Sequence, residues 1–223
     1  MKPNLIKRFL FKVFAKQLRR PSGFLAKKVG NKMNDMNNLL YDVTTDTMNI
    51  GDGDSILEIG FGNGKLFDRI FSKTNNLKIS GLDFSSNMVK EAIAYNQSTI
   101  ASGKLILKYG CSDNIPFKDD SFDKVYCINV IYFWEQPAKD LKEIYRVLKP
   151  SGKFCTAIRT KESMLRLPFT NYGFTLYGEE EWKNVLEANG FQFVKAEKVS
   201  ETEELDGQQF ELKSLCIVVE KAI

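Results

Sequence analysis

The sequence predicts an α/β fold, a doubly wound and mostly parallel sheet covered on both faces, preceded by a helical N-terminal extension. Two observations predict it. Apolar strand candidates at about 54–60, 77–83, 104–109, 123–130 and 152–159 alternate with helix candidates at about 64–73, 85–101 and 137–148, and parallel neighbours need crossovers of that length. The chain has 223 residues, 43% of them hydrophobic and 27% charged, enough to fill one such core.

The elements follow in order. Residues 4–20 set Leu5, Phe9 and Val13, with Leu10 and Phe14, at three- and four-residue spacing among Lys and Arg, as an amphipathic helix does. Arg19-Arg20-Pro21-Ser22-Gly23 stops it. Helical stretches at about 24–34 and 36–49 lead to the turn-rich Ile50-Gly51-Asp52-Gly53-Asp54. Past residue 159 comes an irregular aromatic stretch, then a helix at about 178–189 closed by Asn189-Gly190, then strands at about 191–199 and 210–220. The acidic run Glu201 to Asp206 reads as a solvated loop. Residues 1–50 are expected to form a basic helical cap and 51–223 the main domain.

Composition excludes several chemistries. The chain has no histidine, which removes a Ser-His triad, an imidazole base and histidine metal sites, and no metal is expected. Cys111, Cys127, Cys155 and Cys216 stand far apart, three of them in apolar strand-like runs, and read as structural thiols. Residues 1–40 hold ten Lys or Arg against Asp35, a local charge of +9 that leaves −5 on the rest. No apolar stretch approaches the roughly 20 residues of a bilayer span. Lys7, Arg8, Lys12 and Lys16 interrupt the opening apolar run and no small-residue cleavage site follows, so a soluble cytoplasmic protein is expected.

The first strand ends in Glu58-Ile59-Gly60-Phe61-Gly62-Asn63-Gly64. Ligands of open α/β sheets sit beyond the carboxyl ends of the strands, and three alternating glycines let the main chain approach one closely. A dinucleotide fingerprint would need glycine at position 65 or 67, where Lys65 and Phe67 stand. Glu58 would repel a phosphate and suits a cation. Asp83 closes the second strand 19 residues past Gly64, where a carboxylate can accept both hydroxyls of a ribose. Asp83 and Ser85 also suit the cap of the following helix.

The E-x-G-x-G-x-G run, the D-x-S-x-x-M run of Asp83, Ser85 and Met88, Ile115 to Phe117, Asp120 to Asp123, and Arg146 to Gly152 with Ser151 in place of a glycine together resemble the class I S-adenosylmethionine-dependent methyltransferases over about residues 52–160. The resemblance implies a Rossmann-like methyltransferase fold with a C-terminal antiparallel β-hairpin. It implies S-adenosyl-L-methionine as cofactor and S-adenosyl-L-homocysteine as product. Glu58, Gly60, Phe61, Gly62 and Gly64 are then expected around the methionine end and Asp83 on the ribose. Phe84 or Met88 would flank the adenine, with a place in the core as the alternative for either. Cys111 stands where the family often has Asp, leaving the adenine contact to Ser112 and its backbone. Asn129 is expected near the transferred methyl.

Methyl transfer needs alignment and exclusion of water more than imidazole chemistry. Tyr132 and Trp134, after the fourth strand, and Tyr172 and Tyr177 are candidate acceptor-pocket residues, and Tyr132 is the candidate to orient or deprotonate an acceptor. The expected acceptor is a small molecule. An RNA or lipid-linked acceptor, or cofactor binding without catalysis, stays open. The basic N-terminal helix can serve as a lid, lie on an anionic membrane or hold RNA phosphates, although no separate nucleic-acid-binding segment is visible.

Overall fold

The structure, a computed structural model, describes residues 4–74, 76–205 and 207–222. Helices α1 (Leu5–Arg19) and α2 (Ala26–Thr47) precede strand β1 (Ser55–Ile59). Then come α3 (Phe67–Phe71), β2 (Lys78–Asp83), α4 (Ser86–Tyr95), α5 (Gln97–Ala101), β3 (Leu105–Tyr109) and β4 (Phe122–Ile128). The chain continues with α6 (Pro137–Val147), β5 (Leu148–Arg159), α7 (Lys161–Met164), α8 (Glu179–Ala188), β6 (Phe191–Leu205) and β7 (Gln208–Lys221).

The seven strands form one sheet in the order β3-β2-β1-β4-β5-β7-β6. The first five are parallel, whereas β7 runs antiparallel to both β5 and β6. Strand order reverses between β1 and β4, which opens a crevice at their carboxyl ends. Side chains alternate between two cores. Leu57, Ile59, Val125 and Cys127 face α6 and α8, while Ile56, Tyr126 and Ile128 face α2, α3 and α4. By the same alternation Glu58 points toward α2.

Three elements differ from the sequence reading, each for a local reason. The stretches at 24–34 and 36–49 are one helix, α2, which buries Leu40, Tyr41 and Met48 beside it against the sheet. The helix expected at 85–101 breaks at Asn96, whose side-chain amide donates to the carbonyls of Gly64 (3.0 Å) and Ala92 (2.9 Å). The run from Glu201 to Leu205 continues β6, paired with β7 from Leu212 to Gln208, instead of forming a solvated loop. Arg159, only 5% exposed, forms an ion pair with Glu201, and its guanidinium also donates to Ser214 and to the Met36 carbonyl of α2. Asp206 lies outside the described residues.

Candidate functional site

The glycine loop crosses the crevice with Gly60, Gly62 and Gly64 all at positive φ, 77°, 61° and 68°. Their surroundings separate their roles. A Cβ on Gly60 would stand 2.4 Å from Val130 and one on Gly64 2.7 Å from Ala92, so these two glycines let the loop seat against neighbouring elements. A Cβ on Gly62 would meet nothing within 4 Å: this glycine borders open space.

That space is a cavity of about 320 Å³, within the usual range for small-ligand pockets. It is lined by Gly60, Gly62, Asp83 and Asn129 at or just past the strand ends, and by Phe84, Met88, Cys111 and Ser112. Phe133 and Trp134 line it too, and Leu18 and Arg19 of α1, Pro21 of the turn after it and Met33 of α2 complete the rim.

Asp83 is 6% exposed. Its Oδ2 accepts the Gly62 N–H at 2.9 Å and its Oδ1 the Ser85 N–H at 2.7 Å, so one carboxylate fixes both the glycine loop and the start of α4. Burial pushes its pKa up to about 6, against the lowering effect of those two N–H groups and Arg20. Each oxygen retains capacity for a further donor.

Glu58 stands behind the glycine loop and outside the cavity lining, 5% exposed, with the hydroxyls of Tyr126 (2.5 Å) and Tyr41 (3.1 Å) donating to the same oxygen, Oε2. Burial raises its pKa to about 7, although both tyrosines pull it down. A buried carboxylate without a cation is costly, and a ligand cation would relieve that cost. At the far end Ser112 donates to Asp140 at 2.5 Å, and burial lifts Asp140 to about 6. The exposed Cys111 thiol is raised by partial burial and by Asp113.

The structure gathers Gly60, Gly62, Asp83, Phe84, Met88, Cys111, Ser112, Asn129 and Trp134 around the cavity. Phe61 and Gly64 face inward: Phe61 packs 5.7 Å from Phe67, and Gly64 abuts Ala92 and Asn96. Tyr132 does not line the cavity. It is 2% exposed, accepts the Arg159 N–H at 2.6 Å and donates toward the Arg159 carbonyl and Asn129 Oδ1, and burial holds its hydroxyl far above the usual tyrosine range. Its geometry is that of a strut between β4 and β5, in place of the acceptor-facing group expected. Tyr172 and Tyr177 are half-buried and away from the lining, Tyr177 packing 5.0 Å from Trp182.

Sequence reasoning missed the polar face of α2. Asn34 donates to Asn63 at 2.8 Å, Asn37 accepts from Asn129 at 2.9 Å, Asn31 accepts from Asn63 at 3.3 Å, and Tyr41 reaches Glu58. Residues 31, 34, 37 and 41 recur at helical spacing, and that periodicity was the available signal. Asp113, Glu135 and Asp140 of the cavity were missed as well.

Comparison with known proteins identifies the family. Residues 57–156 match the family described as Methyltransferase domain. The chain is 32% identical over 127 residues to the uncharacterized methyltransferase YdaC of Bacillus subtilis, covering 57% of this chain and 68% of that one. It is 31% identical to the demethylmenaquinone methyltransferase of Staphylococcus epidermidis over 68% of this chain and 59% of the relative. Most of the curated relatives are longer than the stretch they share with this chain, which spans 63% of one and 42% of another. A Haloferax volcanii protein solved with the Trm112 methyltransferase activator superposes with a TM-score of 0.77 at 20% identity, over 96% of this chain and 98% of that one. The chain belongs to the class I S-adenosylmethionine-dependent methyltransferases.

Proposed function

We propose that the protein binds S-adenosyl-L-methionine in this cavity and transfers its methyl group to a small, largely apolar acceptor beyond the carboxyl end of β4. The observation that carries the reading is one open space lined by a backbone with room for a ligand, Gly62, and by the buried carboxylate of Asp83, with a second buried carboxylate, Glu58, two residues before the lining Gly60 and without a cation among the described residues. When bound, the cofactor supplies an electrophilic methyl on a sulfonium sulfur. Glu58 holds the ammonium, with Tyr41 and Tyr126 orienting its carboxylate. Asp83 accepts from the ribose hydroxyls while the Gly62 and Ser85 N–H groups keep it fixed. Phe84 and Met88 flank the adenine, and Cys111, Ser112 and Asp113 border it.

Phe133, Trp134 and Leu18 give the other end an apolar lining that excludes water. The name of the S. epidermidis relative supports a quinone-like acceptor. The N-terminal segment acts as a lid: Arg19 pairs with Glu135 at 2.9 Å, Arg20 donates to the Tyr109 hydroxyl at 3.2 Å, and Ser85 donates to the Pro21 carbonyl at 2.7 Å. The Arg19–Glu135 pair is exposed and weak enough to open. The test is incubation with methyl-radiolabelled S-adenosylmethionine and a panel of demethylated quinols. Label in a quinol supports the reading. Tight cofactor binding with no label in quinols, other small molecules or RNA would favour the non-catalytic alternative.

A further inference from the structure

Helix α1 has two apolar sides. Ala15 is buried, Phe14 packs edge-on against Phe169 at 5.1 Å, and Leu18 lines the cavity rim, so one side belongs to the protein. At 100° per residue, Leu5, Ile6, Phe9, Leu10 and Val13 fall in an arc of roughly 140° on the other side. All five are exposed, Leu5 by 80%, Ile6 by 71% and Phe9 by 66%. In the turn that follows, Phe24 is 94% exposed. Bulky apolar groups so contiguous and bare mark a contact surface.

The charge around them narrows the occupant. Lys7, Arg8, Lys12 and Lys16 are exposed on α1, Lys27, Lys28 and Lys32 are exposed on α2, and no acidic residue occurs before Asp35. Arg8, Lys12 and Lys16 border one edge of the apolar arc and Lys7 lies beyond the other. A protein partner would have to bury the apolar arc while neutralising a wholly basic border. RNA would use the cations and leave five large apolar side chains in water. An anionic bilayer surface satisfies both at once, taking the apolar side chains below its headgroups and the ammonium and guanidinium groups among them.

We infer that α1 seats the protein on an anionic lipid surface, with Leu5, Ile6, Phe9, Leu10 and Val13 inserted among the acyl chains. Among the described residues no helix is long and apolar enough to cross a membrane, so the contact is peripheral. Because the same helix ends at Leu18 and Arg19 on the cavity rim, seating it holds that rim about one helix diameter from the lipid, where an apolar acceptor concentrates.

The experiment is co-sedimentation of the full chain with phosphatidylcholine vesicles and with phosphatidylcholine–phosphatidylglycerol vesicles, at low and high salt. The expected result is partitioning at least about tenfold stronger on the anionic vesicles, weakened by salt. Phe9→Ser combined with Leu10→Ser should abolish it, and Lys7→Gln, Arg8→Gln and Lys12→Gln together should remove the preference for anionic lipid. Unchanged circular dichroism and S-adenosylhomocysteine affinity show that these variants are folded. No partitioning by wild type, equal partitioning on both vesicles, or self-association through the same face in place of lipid binding would overturn the inference. Lipid binding does not require methyl transfer, so failure of either reading leaves the other standing.

Discussion

Glu58→Gln separates the two effects of one buried carboxylate. In the folded protein without ligand its pKa is about 7 against an ordinary 4.5, with burial as the leading cause. The folded state therefore holds this proton more tightly than the unfolded chain. Below the ordinary value the group has no effect on stability. As pH rises from there to about 7 the folded state loses up to about 3 kcal/mol, and above 7 the loss is complete. Gln carries no such charge. The stability of the variant relative to wild type, from urea unfolding without ligand, should rise by about 2 to 3 kcal/mol between pH 5 and pH 8. Cofactor binding runs the other way, because an ammonium selects the ionised carboxylate. The affinity of wild type for S-adenosylhomocysteine should increase about tenfold from pH 6 to pH 8, while the variant binds about a hundredfold more weakly with a flatter profile. Calorimetry at both pH values reads this. A constant stability difference together with a pH-independent wild-type affinity would refute the argument.

Gly60→Ala should cost about 2 to 4 kcal/mol, because its methyl meets Val130 at 2.4 Å with φ at 77°. Gly62→Ala, with open space around it, should cost only about 1 kcal/mol yet lose S-adenosylhomocysteine binding, since its methyl enters the cavity; thermal melts with and without ligand compare the two. Tyr126→Phe removes a hydroxyl that lowers the Glu58 pKa, so the acid limb of ligand binding should move to higher pH in the same titration. Tyr132→Phe leaves the Arg159 N–H without its 2.6 Å acceptor and should cost about 1 to 3 kcal/mol, with the pH dependence of kcat unchanged; loss of a basic limb from that profile would restore a catalytic role to Tyr132.

The parallel core was legible because its signal is local. Buried strands are short apolar runs, and β1 through β4 each begin and end within two residues of their sequence expectation. The meeting of the glycine loop with Asp83 was legible for a similar reason, since the glycines and Asp83 lie at fixed distances from two strand ends. What stayed hidden depends on contacts distant in sequence. Tyr41 meets Glu58 and Asn37 meets Asn129 only after α2 folds across the sheet. The inward turn of Tyr132 follows from the Arg159 backbone on the neighbouring strand, which periodicity around residue 132 cannot report. The length of β6 is set by pairing with β7, which outweighs the acidic composition of residues 201–204.

The central claim is that Glu58, Gly62 and Asp83 together form a site for S-adenosylmethionine. Calorimetric titration of the purified protein with S-adenosylhomocysteine, beside NADH and the Asp83→Ala variant, tests it most directly. The account predicts micromolar binding of S-adenosylhomocysteine, a loss of about a hundredfold in the variant as two ribose hydrogen bonds and the anchor of the Gly62 N–H disappear, and no NADH signal. Equal affinity of wild type and variant, or no binding by folded protein, would contradict it.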